Sequence, residues 1–105
     1  MNRRVYILND GGHDYSDAAR FGEIVICTGN VIRKDDTAQM FRELTSALED
    51  SRPNDYLLVS SLSSMCMVAA GIMADRFGQI HLLLFKDGQY TPRDIIFDPE
   101  LSTDN

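Results

Sequence analysis

The amino-acid sequence predicts a small α/β domain with a mostly parallel sheet, flanking helices and a C-terminal antiparallel edge hairpin. Three observations predict this class. Short β-rich runs alternate with segments of helical periodicity, in an order typical of parallel strands joined by helical crossovers. Some of these runs are apolar without interruption, which is typical of strands covered on both faces. Asp87 and Gly88 separate the last two runs and favour a two-residue hairpin turn.

The strands are predicted from β-rich composition and from the turn residues that bound each run. They cover residues 4–8, 23–28, 55–60, 79–85 and 89–97. Pro92 lacks an amide hydrogen, so the last strand is expected at an edge of the sheet. The core is expected to contain the apolar residues in the middle of the runs: Ile24, Val25, Ile26, Leu58, Val59, Leu83 and Leu84.

Two helices are predicted before the third strand. Residues 17–21 form a short helical turn that Asp14 or Ser16 can cap and that Gly22 ends in the left-handed conformation. A longer helix begins at residues 35–37, where acidic side chains complement the helix dipole. Its apolar residues recur at helical spacing on the face expected to cover the sheet: Met40, Phe41, Leu44, Ala47 and Leu48.

The helix before the fourth strand has almost no polar side. Ser63 or Ser64 is expected to cap it, and Gly78 to end it. Because a helix that only covers a sheet keeps a polar back, the other helix or a second subunit should cover this one. Methionine-rich surfaces adapt to partners, so we expect self-association through the face that contains Met65, Met67 or Met73.

Length and composition indicate a single globular domain. The chain of 105 residues is 44% hydrophobic and 25% charged, which provides a core without a second domain. We expect the domain to span residues 1–97 and a polar tail to span residues 98–105. Cys27 and Cys66 lack the spacing of redox or zinc motifs, which favours reduced, buried thiols in a cytoplasmic protein.

Net charge, the length of the apolar runs and the small number of histidines exclude several classes of partner. The formal charge of −6 opposes attraction to nucleic acid or to an anionic membrane surface. The longest apolar stretch, residues 65–74, is too short for a membrane span, and the apolar run after Arg4 is too short for an export signal. With two histidines and no ligand spacing, neither a metal nor another cofactor is expected.

Two polar loops follow predicted parallel strands and are candidate ligand-binding segments. Ligands of open parallel sheets bind beyond the carboxyl ends of the strands, and free amides at a helix start favour anions. Each loop is also consistent with ordinary turn or capping chemistry. The candidate residues are Asn9, Asp10, Gly11, Gly12, His13 and Asp14 in the first loop, and Ser60, Ser61, Ser63 and Ser64 in the second.

Catalytic motifs are weak in this sequence. Neither a Walker loop nor a dinucleotide-binding glycine motif occurs. His13 with Asp10 or Asp14 could form a base and its orienting carboxylate, and a serine of the second loop could be a nucleophile, which would make a small hydrolase. His81 lies in an apolar strand and is interpreted as a hydrogen-bonded structural histidine. Cys66 is interpreted as buried and unreactive.

Several segments resemble short uncharacterised α/β proteins encoded by bacteriophages. They are GGHDYS at residues 11–16, AARFGE at 18–23, DYLLVS at 55–60 and the hairpin at 82–90. The resemblance implies a viral accessory protein of the host cytoplasm and assigns no functional residue.

The sequence leaves three functions open. The first is a non-enzymatic binding protein that self-associates or binds a host or viral protein. The second is a module for a small phosphorylated or nucleotide-like anion, and the third is the hydrolase with His13. Whether the two polar loops converge on one concave site separates a ligand function from an assembly function.

Overall fold

The computed structural model describes residues 3–10, 12–29, 32–59 and 62–97. They form five strands, two α-helices and one 3-10 helix. In chain order these are β1 (Arg4–Ile7), η1 (Ser16–Phe21), β2 (Glu23–Ile26), α1 (Thr37–Ala47), β3 (Tyr56–Leu58), α2 (Ser63–Phe77), β4 (Gln79–Lys86) and β5 (Gln89–Ile96). The predicted α/β class, mostly parallel with an antiparallel end, is confirmed.

The strands form one sheet in the order β2-β1-β3-β4-β5. β1 pairs in parallel with β2 on one side and with β3 on the other, β3 pairs in parallel with β4, and β4 pairs antiparallel with β5. The hairpin turn has positive φ at Asp87 (53°) and Gly88 (77°), which matches the turn that the sequence predicts. β5 is an edge strand, as Pro92 requires.

Alternating residues of the strands separate two core clusters. On one face, here called the helix face, α1 and α2 cover Tyr6, Leu8 and Leu57. On the opposite face, here called the η1 face, η1 lies over Val5 and Ile7. Because the residues of β1 are covered from both sides, this strand lies in the interior of the fold.

Several core predictions for β2 and for the strand ends are wrong. Ile24 and Val25 are only half-buried and Ile26 is exposed, because β2 is an edge strand with one neighbour. Val59 is 37% exposed because it lies beyond the end of β3, and Leu84 is half-buried. Leu58 and Leu83 are buried as predicted.

Helix ends follow the predictions in part. Asp36 caps α1 by accepting the amide of Gln39 at 3.0 Å, and Gly78 ends α2 in the left-handed conformation. The residue before α2 is Leu62, and neither Ser63 nor Ser64 caps the helix. The prediction of a serine cap is therefore wrong.

Gly22 is extended, with φ 161°, so the predicted left-handed end of η1 is also wrong. The reason for a glycine here is close packing. A β-carbon at Gly22 would lie 2.5 Å from the carbonyl oxygen of Arg3, an approach that real side chains do not make. The same carbonyl accepts the amide of Glu23 at 2.9 Å, which begins the pairing of β1 with β2.

The covering helices bring the methionines of α2 into the core. Met65 and Met73 are buried together with Met40 and Leu44 of α1. α1 therefore covers one side of α2, as the nearly complete apolar circumference of α2 requires.

Within the described ranges, no helix is long and apolar enough to cross a membrane.

Replacement of Leu58 by Ala tests the central position of β3. Leu58 is buried in the η1-face cluster, so we expect Leu58→Ala to lower the free energy of unfolding by about 2–5 kcal/mol in urea denaturation. Val59→Ala is the matched control, because Val59 lies beyond the end of β3. We expect this variant to lower the free energy of unfolding by less than about 1 kcal/mol. Equal losses for the two variants would contradict this placement of the strand.

Candidate functional site

The two polar loops follow neighbouring parallel strands. β1 and β3 pair in parallel with Ile7 opposite Leu58, so their carboxyl ends lie at the same edge of the sheet. From this point the chain goes to β2 on one side and later to β3 and β4 on the other. Such a reversal of strand order is where open α/β sheets bind ligands. We refer to this end of the sheet as the carboxyl edge.

Contacts between loops hold the carboxyl edge together. The amide of Asp10 donates to the carbonyl of Thr28 at 3.2 Å, which joins the loop after β1 to the loop after β2. The hydroxyl of Ser64 donates to the carbonyl of Lys34 at 2.9 Å, which joins the start of α2 to the segment before α1. Asn9 is half-buried at this edge, whereas Gly11, Ser60 and Ser61 lie outside the described residues.

The carboxylates of the first loop bond to backbone amides. Asp10 Oδ1 accepts the amide of Gly12 at 3.0 Å, and Asp14 Oδ1 accepts the amide of Ser16 at 2.9 Å. The bonds from Ser16 lower the pKa of Asp14 because they stabilise the ionised carboxyl. These are turn and helix-start contacts, as the structural interpretation of this loop expects.

His13 makes no hydrogen bond to Asp10 or Asp14, the carboxylates with which it could have formed a catalytic dyad. Its ring is exposed and packs edge-to-face on Tyr15, with centroids 6.1 Å apart. Asp10 and Asp14 direct their hydrogen bonds to the loop backbone instead. Ser63, at the start of α2, is exposed. The geometry of the described residues therefore lends the hydrolase prediction no support.

A carboxylate that the sequence analysis did not single out lies under the same edge. Glu43 of α1 accepts the hydroxyl of Thr28 at 3.0 Å and the side-chain amide of Gln39 at 2.7 Å. The sequence does contain a signal for this contact: Gln39 and Glu43 are four residues apart, the spacing at which side chains of a helix meet. Thr28 is buried, so this cluster ties the end of β2 to α1.

The charge at the carboxyl edge does not favour anions. Carboxylates are contributed by Asp10, Asp14, Asp35, Asp36 and Glu43. Arg33 and Lys34 are the neighbouring cations, and Arg33 already pairs with Asp35 at 3.3 Å. Among the described residues, no group of three or more His, Cys, Asp or Glu side chains is placed to hold a metal ion.

The predicted interface methionines divide between core and surface. Met65 and Met73 are fully buried within the chain, whereas Met67 is 75% exposed. Burial follows from helix geometry, because residues 65, 69 and 73 share the side of α2 that packs on the sheet. Only Met67 is therefore available to a second subunit, and self-association stays a prediction.

His81 is hydrogen-bonded, as the sequence predicts. Its Nδ1 lies 2.6 Å from Oδ1 of Asp94 on β5, and its ring packs edge-to-face on Tyr56 at 6.2 Å. Nε2 is buried and has no hydrogen-bond partner among the described residues. The pair links β4 to the edge strand on the η1 face.

The architecture and this edge define a class: a small α/β protein with an open sheet, a reversal of strand order between β1 and β3, and polar loops at the carboxyl ends of both strands. The chain belongs to the Phage Pam3 gp32-like protein family, whose model matches residues 3–99. It is therefore a bacteriophage protein, as the resemblance of its segments implied. Neither the comparison with curated proteins nor that with solved structures finds a significant match.

The thiol of Cys27 gives a pH dependence that can be measured. Burial raises the pKa of Cys27 from 9.0 to about 12, because the interior disfavours the thiolate. Between these two pH values the folded protein binds the proton more tightly than the unfolded chain, so stability falls as pH rises. We expect urea denaturation to show this decrease from pH 9 upward and a smaller decrease in Cys27→Ala.

Part of the decrease should remain in Cys27→Ala, because burial also raises the pKa of Tyr6 and Tyr90. Identical pH profiles for the variant and the natural chain would show that the thiol is not buried in solution.

Proposed function

We propose that this protein is a phage accessory factor that acts in the host cytoplasm by binding other protein chains, and that its main partner is a second copy of itself. The observation that carries the proposal is a run of exposed apolar residues at the end of β5, the strand at an open edge of the sheet. Ile95, Ile96 and Phe97 are consecutive and are 41%, 47% and 59% exposed. Successive side chains of a strand point to opposite faces, so Ile95 and Ile96 place apolar surface on both sides of the open edge. Apolar surface gathered at one edge marks an interaction site more often than isolated apolar residues do.

The backbone of β5 supports pairing over its second half only. The amide of Phe97 donates to the carbonyl of Gly78 at 2.9 Å. The backbone amides and carbonyls of the odd-numbered residues of β5 therefore point toward β4. The amides and carbonyls of Asp94 and Ile96 therefore face outward. Pro92 has the same outward orientation but no amide hydrogen, which blocks pairing along the first half.

A second copy fits this edge because a strand edge can pair with itself about a two-fold axis. Antiparallel pairing centred on Ile95 would bring the outward groups of Asp94 and Ile96 opposite those of Ile96 and Asp94 of the other copy. Full burial of a large apolar side chain contributes about 1.5–3 kcal/mol. Association costs about 4–15 kcal/mol, so a weak dimer is expected from this edge alone.

The outer side of α2 supplies a second exposed surface. Met67 is followed one turn later by Gly71, which is exposed, and a β-carbon at Gly71 would have no atom of its surroundings within 4 Å. A host or viral protein is the alternative partner for either surface. The two surfaces are on different elements, so single substitutions can separate them.

Sedimentation velocity tests self-association and its location. We expect the natural chain to form a dimer at high concentration and Ile96→Glu to be a folded monomer, because an unpaired charge is costly to bury. Gln89→Glu adds the same charge to the blocked half of β5 and should leave the dimer intact. A monomeric natural chain would contradict the proposal, and loss of the dimer only in Met67→Glu would move the interface to α2.

A small anionic ligand at the carboxyl edge is the second candidate function. The reversal of strand order between β1 and β3 favours it, together with the contacts that join the loops there. The carboxylates of the edge oppose it.

Thermal denaturation in the presence of nucleotides tests this second function. A ligand that binds only the folded state raises the melting temperature. The increase should be smaller in His13→Ala and Ser63→Ala, both of which replace exposed side chains and should leave the ligand-free protein equally stable. An unchanged melting temperature would contradict a nucleotide-binding site at the carboxyl edge.

A further inference from the structure

Cationic side chains stack on aromatic rings at the opposite end of the sheet from the polar loops. The Arg3 guanidinium lies over the ring of Tyr56, with its central carbon 4.1 Å from the centroid. Its Nε donates to the carbonyl of Asn54 at 2.7 Å, which fixes the rotation of the group. The two terminal nitrogens are left with no acceptor among the described residues, and they form a fork that fits two oxygens.

A second guanidinium is held on the neighbouring ring. Arg20 lies over Phe21 at 4.8 Å from the centroid. Phe21 and Tyr56 are in edge-to-face contact, with centroids 5.9 Å apart and ring planes 77° apart, so the two stacked pairs adjoin each other through their rings. We refer to Arg3, Arg20, Phe21 and Tyr56 as the arginine ledge.

The backbone beneath the arginine ledge is rigid. Gly22 packs against the carbonyl of Arg3, and that carbonyl also accepts the amide of Glu23. The connection between η1 and β2 is thus fixed against the start of β1. Tyr56 is buried and its ring also contacts His81, so the surface that carries Arg3 is part of the core.

Neither guanidinium of the arginine ledge is neutralised within the described ranges. Glu23 is close in sequence but lies 3.7 Å from Arg4. Among the described residues, Asp17, three residues before Arg20, forms no ion pair with it, and the ion pairs Arg33–Asp35 and His81–Asp94 involve neither Arg3 nor Arg20. A third arginine, Arg76, also stacks on a ring, that of Phe77 at 4.8 Å, but its guanidinium donates to the carbonyl of Leu48 and the hydroxyl of Ser51.

We propose that the arginine ledge binds the phosphoryl group of a phosphate monoester. Such a group carries a charge of about −1.5 to −2 near neutral pH and offers three acceptor oxygens, so it can bond to both guanidiniums. A carboxylate carries a single charge, which one guanidinium satisfies. The stacking fixes both side chains before binding, which lowers the entropy lost when the anion is bound. This proposal does not depend on self-association.

NMR titration of the arginine side chains tests the ledge. The Nε–Hε signals of Arg3 and Arg20 should shift saturably with inorganic phosphate and with O-phosphoserine at constant ionic strength, and neither chloride nor acetate should reproduce the shifts. Arg3→Gln or Arg20→Gln should weaken binding about tenfold, the factor that corresponds to the loss of one charge-assisted hydrogen bond. Arg3→Lys keeps the charge and loses the fork, and it should also weaken binding.

Arg42→Gln is the matched control, because Arg42 is an exposed arginine on α1, which covers the other face of the sheet. It should leave binding unchanged. Four results would overturn the proposal: no saturable shift, equal binding of acetate, binding of inorganic phosphate without binding of O-phosphoserine, or shifts confined to residues 9–16 and 62–64. The last result would place the anion at the carboxyl edge.

Discussion

The burial of β1 on both faces is the constraint on which the rest of the structure depends. Val5 and Ile7 face η1, while Tyr6 and Leu8 face the α-helices, and all are buried. A strand covered in this way must have a neighbour on each side, because its amides and carbonyls have no access to water. The parallel pairing with both β2 and β3 follows, and it brings the two polar loops to one edge.

Hydrogen bonds of the Asp55 and Arg76 side chains fix the opposite end of the sheet. The buried carboxylate of Asp55 accepts the amides of Arg4 and Arg52 at 3.0 and 2.9 Å, which joins the start of β1 to the turn before β3. Arg76 of α2 donates to the carbonyl of Leu48 and the hydroxyl of Ser51, so it caps the end of α1. Together these contacts hold the backbone on which Arg3 lies.

The two ends of the sheet differ in the partners of their charged side chains. The carboxyl edge contains the carboxylates that bond to its own loops, whereas Arg3 and Arg20 at the other end have no described acidic partner. Arg3 and Arg20 are therefore the cations on which the proposed anion site depends, and they lie away from the edge where fold topology alone places a ligand. The exposed apolar residues at the end of β5 pair with the start of β4, so they lie at the same end of the sheet as Arg3 but on the edge strand.

The sequence by itself determined the element types, the hairpin at Asp87 and Gly88, and the buried Leu58 and Leu83, because turn chemistry and local periodicity act within a few residues. Strand order was decided only by the tertiary structure. The apolar run of β2 is typical of a central strand, yet it lies at an edge, and Met65 and Met73 are core rather than interface. The arginine ledge joins the residue before β1 to residues of η1 and β3, and local patterns do not record contacts between residues so far apart in the chain.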